Sequence, residues 1–374
     1  MSTFKFMPTN DLAIAQGSII LVTGVSGMIA IHIADEALKA GFRVRGTVRS
    51  KEKGQQAASL LNSPEFEFVI VEDMAANCAF DNAMKGVSAA IHCASIVNFS
   101  GIIDDVVPPT VKGSLNILDA ALTNPGIRTV VFTSSSGAAS GPRPGVGFHV
   151  GSDTWNEAAM DLIKNTPPQK QGEMGFDWGY MVYVASKIEA ERAVWDFVEQ
   201  RKPSFTVNVI NPAMNWGKVM GSMGISGAHI LSVLDGKVPN IPSVYMCDTI
   251  DDARIHLAAA IDLTVANERI FVCDSPFTWN LVIEVIQQEL PDALLPAPDP
   301  NELLDISTVD NNLGAYLLRK WWNQPGYKGL KQTVKETLHM CLEKRNGKYS
   351  RYACLDTAGS KNFVGASPLH HGVK

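Results

Sequence analysis

Seven short apolar runs are spread along the chain, and helical patterns separate most of them. The runs lie at Ser18–Val22, Phe42–Arg49, Phe66–Val71, Ala89–Cys93, Thr129–Thr133, Phe205–Ile210 and Arg269–Val272. The helical patterns fall at Ile31–Ala40, Phe80–Met84, Val111–Leu122, Tyr183–Gln200 and Asp251–Leu263. Strands that are apolar along their length are typical of a parallel sheet buried on both faces. We therefore expect an α/β protein with a doubly wound, Rossmann-type sheet.

The first apolar run leads directly into a glycine-containing turn between Thr23 and Ala30. Gly24 allows a tight turn out of the strand, and Gly27 allows the backbone to approach a pyrophosphate. The helix that follows offers unpaired N–H groups and the positive end of its dipole to that anion. Two glycines alone are a weak signal, but their position between the first strand and the first helix predicts a dinucleotide site.

The end of the second strand distinguishes between two dinucleotides. An acidic residue there binds the ribose 2′-hydroxyl of NAD, whereas a basic residue binds the 2′-phosphate of NADP. The chain has Arg49, followed by Ser50, Lys51, Glu52 and Lys53, with no acid at the strand's end. The planar guanidinium of arginine suits a phosphate. We expect NADPH/NADP+ as the cofactor; a solvated basic loop is the alternative interpretation.

Tyr183 and Lys187 are four residues apart in a helical pattern, so their side chains lie on one face. A phenol has a pKa of about 10, and a neighbouring ammonium stabilises the phenolate and lowers that pKa. The run Thr133–Ser136 offers a serine that can hold the reacting oxygen. The three features predict carbonyl or alcohol chemistry, provided that a hydride carrier is bound nearby. An amphipathic surface helix explains the same spacing without any catalytic role.

Charge and composition argue against several other classes of function. The 374 residues carry a formal net charge of -6 without a basic stripe, so we expect no nucleic acid and no membrane among the partners. No apolar stretch is long enough to span a bilayer, and the first residues lack the pattern of a signal peptide. Neither the cysteines nor the histidines show metal-ligand spacing, so no metal site is expected. These features predict a cytoplasmic protein.

Eight short motifs follow one another along the chain. They are Thr23-Gly24-x-x-Gly27-x-x-Ala30, Thr47–Ser50, Glu72–Met74, His92–Ser95, Lys112–Leu118, Phe132–Ser135, Asp153–Asn156 and Asn211-Pro212. In their order and spacing, from about Ile19 to Glu343, the chain resembles the extended short-chain dehydrogenase/reductases. Within that family it is similar to the branch of dihydroflavonol reductases and fungal aldehyde and ketone reductases. The resemblance implies a Rossmann-type domain and a smaller, discontinuous C-terminal lobe that binds the substrate.

The resemblance also implies roles for individual residues. Ser135 aligns with the family's catalytic serine, Tyr183 with its general acid, and Lys187 with the lysine that holds the nicotinamide ribose and lowers the phenol's pKa. The implied cofactor-binding residues are Gly24, Val25, Ser26, Gly27, Met28 and Ile29 at the pyrophosphate, Arg49 and Lys53 at the 2′-phosphate, Asp73 and Met74 at the adenine, Ala94 and Ser95 at the ribose near the nicotinamide, Pro212 and Asn215 at the nicotinamide ring, and Ser226 from the following segment.

The implied domain division is discontinuous. Residues 18–213 form the NADP-binding domain and 251–273 return to it, whereas 214–250 and 274–345 form the substrate lobe. An insertion at 141–182 lies near the active site, and residues 346–374 form a flexible tail. The chain departs from the family pattern at Asn215, where most relatives have an aliphatic residue. It also departs at Met246–Ala253, which replaces a Val-Asp-Val-x-Asp-Val-Ala pattern.

These features predict an NADPH-dependent carbonyl reductase, or alcohol dehydrogenase in the reverse direction. Its expected substrate is a hydrophobic ketone or aldehyde, and its expected working form is a monomer or homodimer. Two alternatives stay open. A sugar-nucleotide epimerase or dehydratase, or another redox-neutral biosynthetic enzyme, shares the fold and the Tyr-Lys pair. A non-enzymatic NADP-binding sensor shares the fold alone.

Overall fold

A computed structural model describes residues 9–221 and 224–345. The strands are β1 (Ile19–Thr23), β2 (Arg43–Val48), β3 (Phe66–Ile70), β4 (Val87–His92), β5 (Thr129–Thr133), β6 (His149–Val150), β7 (Thr206–Pro212), β8 (Met214–Trp216), β9 (Tyr245–Asp248), β10 (Arg269–Val272), β11 (Ser275–Pro276) and β12 (Thr308–Val309). The α-helices are α1 (Met28–Lys39), α2 (Lys51–Leu61), α3 (Ile103–Leu122), α4 (Glu157–Asn165), α5 (Pro168–Met174), α6 (Phe176–Arg201), α7 (Gly224–Leu234), α8 (Thr249–Ile261), α9 (Trp279–Glu289), α10 (Asn312–Trp322) and α11 (Leu330–Arg345). The tail predicted at 346–374 lies outside the described residues.

The seven predicted strands form one parallel sheet in the order β10-β7-β5-β4-β1-β2-β3. Successive side chains of a strand point to opposite faces. In β1, Ile20 and Val22 belong to the core on one face and Leu21 to the core on the other, and all three are fully buried. The sequence pattern of continuous apolar runs therefore arises from burial on both faces, and the predicted doubly wound Rossmann-type fold is confirmed.

Helices cover the two faces of this sheet. On one face α1 packs against α8, and α10 packs against α8. On the other face α3 and α6 lie side by side, with Ile117 and Phe197 in the shared core. Burying each large aliphatic side chain in these layers contributes about 1.5–3 kcal/mol. The sheet is therefore fixed between two apolar layers. The carboxyl ends of its strands lie outside these layers, where a ligand can bind.

A second core lies beyond the sheet. Strands β8, β9 and β11 form a small sheet, and apolar side chains of α7, α9 and α11 pack around Trp216, Phe277 and Trp279. We propose that this core corresponds to the substrate lobe. Helix α10 falls within the range assigned to that lobe, but its Leu317 and Trp321 pack in the core of the main sheet. Its strongly amphipathic sequence provides the apolar face that makes this packing favourable.

Three helix predictions need correction. Residues Phe80–Met84 form consecutive turns rather than a helix, since their backbone makes only one i to i+4 bond among the described residues, from Met84 N–H to the Phe80 carbonyl. Helix α3 begins eight residues before the predicted Val111 and includes Pro108 and Pro109. The carbonyls of Asp104 and Asp105 lose their helical partners to these prolines, but both residues are exposed to water. Helix α6 begins at Phe176 rather than Tyr183, which places Tyr183 in its interior.

Helix α2 is absent from the sequence prediction. It follows β2 directly, and the hydroxyl of Ser50 caps it by accepting from the N–H of Lys53. Only Gly54, Ala57 and Leu61 are buried, so the helix has a narrow apolar face. The basic segment after Arg49 is therefore the first turn of a helix and not a loop.

Candidate active site

The glycine turn after β1 is open at the atoms where an anion would bind. Gly24 has a φ of 65°, and a Cβ there would come within 3.1 Å of the Cα of Ala94, so the position requires glycine. The Gly27 N–H donates to the Gly24 carbonyl at 2.8 Å, and α1 begins at Met28 without a side-chain cap. The N–H groups of the first helical turn are therefore available to an anion. Val25 is buried, Ser26 is half-buried, and Gly27 is exposed.

Helix α7 lies against this turn. The side chain of Met28 contacts the second core, and a Cβ at Gly224, where α7 begins, would lie 3.1 Å from the Met28 sulfur. Ile29 packs against the core of the main sheet. Ser226 is half-buried in α7, and its carbonyl accepts from the Trp216 indole at 2.9 Å. Helix α7 thus begins next to the glycine turn. This position is the one expected if Ser226 reaches the cofactor from α7.

The residues expected at the adenosine end follow β2 and β3. Arg49 is exposed at the end of β2, and Lys53 is half-buried in the first turn of α2. Among the described residues, neither side chain has a hydrogen-bond or ion-pair partner. Asp73 accepts from the N–H of Ala75 at 2.8 Å, and the carbonyl of Met74 accepts from Asn116 at 2.8 Å. Two cations and a fixed carboxylate therefore stand at the carboxyl edge of neighbouring parallel strands.

The segment after β4 brings Ala94 and Ser95 to the same edge. The N–H of Ala94 donates to the hydroxyl of Thr23 at 3.0 Å, which holds the segment against the glycine turn. The Ser95 hydroxyl is buried and has no hydrogen-bond partner in the part of the chain that the structure describes. A buried hydroxyl without a partner is unfavourable unless a bound group satisfies it. Its position next to the turn fits a ribose.

Ser135, Tyr183 and Lys187 lie together at this edge. The hydroxyl of Ser135 accepts from the N–H of Gly137 at 3.1 Å and lies near enough to the Tyr183 phenol to lower its pKa in part. The Lys187 ammonium donates to the carbonyl of Thr133 at 2.9 Å and lies 5.8 Å from the centre of the Tyr183 ring. The structure therefore assembles the predicted trio.

The expected direction of the Tyr183 pKa is not observed. Burial raises the pKa of the Tyr183 phenol, the neighbouring Tyr180 raises it further, and the nearby Ser135 hydroxyl lowers it in part. Burial also lowers the pKa of Lys187 to about 8, against the opposing influence of Cys93 and Glu191. Desolvation of the phenol and the ammonium thus outweighs the lowering of the Tyr183 pKa that the spacing of Tyr183 and Lys187 suggested.

An aromatic wall adjoins the trio. The ring of Phe99 lies edge-on to Tyr183 at a centroid distance of 5.4 Å and 6.3 Å from Tyr180. Gly179 brings the Phe99 backbone against α6, because a Cβ at Gly179 would overlap the Phe99 carbonyl oxygen. Trp178, in the insertion, donates its indole N–H to the Gly101 carbonyl at 2.9 Å. The loop after β4 is therefore held against the helix that carries Tyr183.

Gly179→Ala is expected to lower the free energy of unfolding by about 1–3 kcal/mol, since the added methyl group displaces the Phe99 backbone. Thermal unfolding measures this loss. Gly172→Ala in α5 is the matched control: its Cβ meets open space, so a small stabilisation is expected. Equal stability of the Gly179→Ala and wild-type proteins would contradict the proposed contact.

Pro212 and Asn215 lie on either side of the junction between β7 and β8. Asn215 is buried and donates to the Ala213 carbonyl at 3.2 Å, while its Oδ1 has no partner among residues 9–221 and 224–345. An aliphatic side chain there would leave no such acceptor. Asn215 therefore fits a role in binding a polar group.

Several residues that support the trio were not predicted from the sequence. Glu191 accepts from Ser134 at 2.5 Å, and Asn211 donates to the Ser135 carbonyl at 3.1 Å. His256 pairs with the hydroxyl of Thr133 at 2.9 Å, and its Nδ1 lies 3.1 Å from the buried carboxylate of Asp252. Thr133, Ser134 and Asn211 stand in motifs of the sequence, but those motifs did not indicate these contacts. The further signals were the four-residue spacing from Lys187 to Glu191 and the unusual segment that contains Asp252.

The arrangement defines a Rossmann-type protein with a nucleotide-binding edge and a Ser-Tyr-Lys cluster in which the lysine is buried. Within the described ranges, no helix has the length and hydropathy to cross a bilayer, and no three His, Cys, Asp or Glu side chains are placed to hold a metal ion.

Comparison with known proteins identifies the family. A model of the NAD dependent epimerase/dehydratase family matches residues 20–155. Aldehyde reductase 2 of Sporidiobolus salmonicolor is 31% identical over 341 residues, covering 87% of this chain and 97% of that protein. Ketoreductase adrE of Penicillium rubens is 33% identical over 332 residues, covering 85% and 95%. The structure of Gre2 from Candida albicans in complex with NADPH superposes with a TM-score of 0.75 at 27% identity, covering 87% of this chain and 99% of that one. The chain belongs to the extended short-chain dehydrogenase/reductase family, in the branch similar to dihydroflavonol reductases and fungal aldehyde and ketone reductases.

Proposed function

We propose that this protein is an NADPH-dependent carbonyl reductase that reduces a hydrophobic ketone or aldehyde to an alcohol. The observation that carries the proposal is the placement of Ser135, Tyr183 and Lys187 together, with the Lys187 ammonium 5.8 Å from the Tyr183 ring, at the edge of the sheet that also carries the glycine turn. The relatives named as aldehyde reductase and ketoreductase match 87% and 85% of this chain, which supports the same chemistry.

NADPH fits the residues present at the site. The open glycine turn and the first turn of α1 would hold the pyrophosphate, and the unpartnered hydroxyl of Ser95 would meet a ribose. Arg49 and Lys53 would hold the 2′-phosphate. Gre2 from Candida albicans, a structural relative, is described in complex with NADPH. When bound, this cofactor supplies a hydride to the carbonyl carbon of the substrate.

The residues of the chain act at the carbonyl oxygen. Ser135 and Tyr183 donate hydrogen bonds to that oxygen as negative charge develops on it. Tyr183 then transfers its proton and forms the alcohol. The raised pKa of the Tyr183 phenol keeps it protonated and ready to act as an acid. We propose that the Lys187 ammonium, held by the Thr133 carbonyl, stabilises the phenolate that results and binds the nicotinamide ribose.

The apolar surroundings support a hydrophobic substrate. Phe99 and Tyr180 flank Tyr183, and Val97 and Ile102 are exposed on the same loop. An aromatic or aliphatic ketone would replace water at these surfaces, which is favourable. A sugar nucleotide would need cationic partners for its diphosphate, and the loop from Val97 to Ile102 offers none.

A panel of aryl ketones, β-keto esters and aldehydes tests the proposal, with NADPH or NADH as the reductant. Loss of the reduced nicotinamide absorbance should depend on the carbonyl compound. Tight NADPH binding without any carbonyl-dependent oxidation would contradict the proposal and support a redox-neutral enzyme or a sensor.

Arg49→Glu is expected to weaken NADPH binding roughly ten- to hundredfold, because a charge-assisted hydrogen bond contributes about 1.5–3 kcal/mol. NADH binding should change much less, since NADH lacks the 2′-phosphate. Quenching of tryptophan fluorescence by each dinucleotide measures both affinities. Lys51→Glu is the control, since it alters the charge of an exposed neighbour by the same amount. An equal loss for NADPH in the two variants would show that Arg49 has no specific role.

A further inference from the structure

Glu191 extends the line of site residues along α6. It lies one helical turn after Lys187 and two turns after Tyr183, so the three side chains share one face of the helix. Its side chain is 0% exposed, which is exceptional for a carboxylate without compensating partners. The proposed reaction does not use this carboxylate as an acid or a base. Its partners therefore indicate what it does.

One carboxylate oxygen holds the segment that carries Ser135. Glu191 Oε2 accepts from the hydroxyl of Ser134 at 2.5 Å and from Asn211 Nδ2 at 2.9 Å. The same amide nitrogen of Asn211 donates to the Ser135 carbonyl at 3.1 Å. The N–H of Ser134 donates to the Ile210 carbonyl at 2.7 Å. The backbone on both sides of the Ser135 hydroxyl is therefore fixed by bonds that include Glu191.

The other oxygen binds Arg269, the first residue of β10. Glu191 Oε1 accepts from Arg269 Nε at 2.5 Å, and the arginine side chain is 4% exposed. Arg269 Nη1 donates to the carbonyls of Ser152 and Thr154, at 3.2 and 2.5 Å. A buried carboxylate thus joins the Ser135 segment to the first part of the insertion.

The insertion makes two further contacts with the same region. The ring of Trp155 contacts two guanidinium groups, with Arg269 4.3 Å and Arg192 5.0 Å from its centre. Asn156 donates to the Gly137 carbonyl at 2.9 Å, and its own N–H donates to the Ala138 carbonyl at 3.0 Å. Residues 152–156 are therefore tied to the turn that follows Ser135 from two directions.

We propose that Glu191 is a positioning residue that sets the Ser135 hydroxyl relative to Tyr183, and that Arg269 couples this setting to residues 152–156 of the insertion. The proposal rests on the proposed function, which gives Ser135 its role at the carbonyl oxygen. Removing one partner of a buried ion pair leaves the other charge buried and uncompensated, which is strongly unfavourable. Replacing Glu191 should therefore release Ser135 and the insertion together.

Glu191→Gln is the test variant, since it keeps the shape of the side chain and removes its charge. We expect kcat per folded enzyme to fall roughly ten- to hundredfold, because a small misplacement of a reacting group has an effect of that size. The KM for the carbonyl substrate and the Kd for NADPH should stay within about threefold, since the change falls on an interaction made in the transition state.

Two further variants separate positioning from folding. Glu189→Gln changes a carboxylate on the same helix that is 39% exposed and pairs only with Arg192 at 3.7 Å in the described residues, and wild-type kcat is expected. The double variant Glu191→Gln/Arg269→Met removes both buried charges, so its Tm should recover relative to Glu191→Gln. Its kcat should remain low, because Ser135 is still released. Recovery of kcat together with Tm would show that Glu191 acts on stability alone.

A crystal structure of the Glu191→Gln variant tests the inference without any activity. We expect the Ser135 hydroxyl to move relative to the Tyr183 phenol and residues 152–155 to shift with Arg269. An unchanged position of the Ser135 hydroxyl relative to Tyr183, or a kcat equal to that of the wild type, would overturn the inference. A wild-type protein inactive on every carbonyl would instead refute the proposed function, and the crystal structure would still decide the role of Glu191.

Discussion

Tyr183→Phe is expected to lower kcat for carbonyl reduction by roughly 10²–10⁴-fold, the usual contribution of a positioned acid. The variant loses only the phenolic hydroxyl, while the ring keeps its contact with Phe99 at 5.4 Å. The fold and the affinity for NADPH should therefore stay close to those of the wild type. Steady-state rates with a reducible ketone, together with an NADPH titration, measure both quantities.

Tyr316→Phe is the control for this variant, because Tyr316 is 45% exposed on α10. Its kcat should equal that of the wild type. If Tyr183→Phe retains more than about a tenth of wild-type kcat, Tyr183 is not the general acid. If the variant instead loses NADPH affinity, the phenol has a binding role that the proposed mechanism does not include.

Lys187→Met should lower kcat/KM by roughly 10²–10³-fold, because it removes a buried ammonium from beside the forming phenolate. The pH dependence gives a second readout. Burial lowers the pKa of Lys187 to about 8, so its charge is present below this pH and is lost as the pH rises through it. Wild-type kcat/KM for reduction is expected to fall above about pH 8.

The same decline should be absent from the residual activity of Lys187→Met. Lys85→Met is the control, since Lys85 is an exposed lysine that contacts Asn82 at 3.1 Å. It should keep both the rate and the pH profile of the wild type. An alkaline decline that persists in Lys187→Met would assign the titration to another group.

The strands of the main sheet were predictable because a strand buried on both faces requires a continuous run of apolar residues. The run at Thr129–Thr133 became β5 with the same boundaries. The helices were harder to predict where their contacts are few. Helix α2 buries little, and α3 contains two prolines that its exposed first turns tolerate. At Phe80–Met84, apolar residues fill the core from successive turns and imitate a helical pattern.

In the site, residues with a local signal in the sequence were predictable, and residues joined by contacts distant in the sequence were not. Tyr183 and Lys187 were visible because their spacing is local, and Gly24 because it follows a strand. The partners of Glu191 were not visible, since Arg269 is 78 residues away and Ser134 is 57 residues away in sequence. The pKa of Tyr183 was predicted in the wrong direction, because desolvation depends on packing that a single sequence does not contain.

The most direct test of the proposed function is label transfer from NADPH that carries deuterium at the reactive position of its nicotinamide. The enzyme is incubated with this cofactor and a reducible ketone, and the alcohol is analysed by mass spectrometry. The proposal predicts an alcohol with one deuterium on its carbinol carbon, in amounts equal to the NADP+ formed. An enzyme that binds NADPH but forms no labelled alcohol from any carbonyl compound in the panel would contradict it.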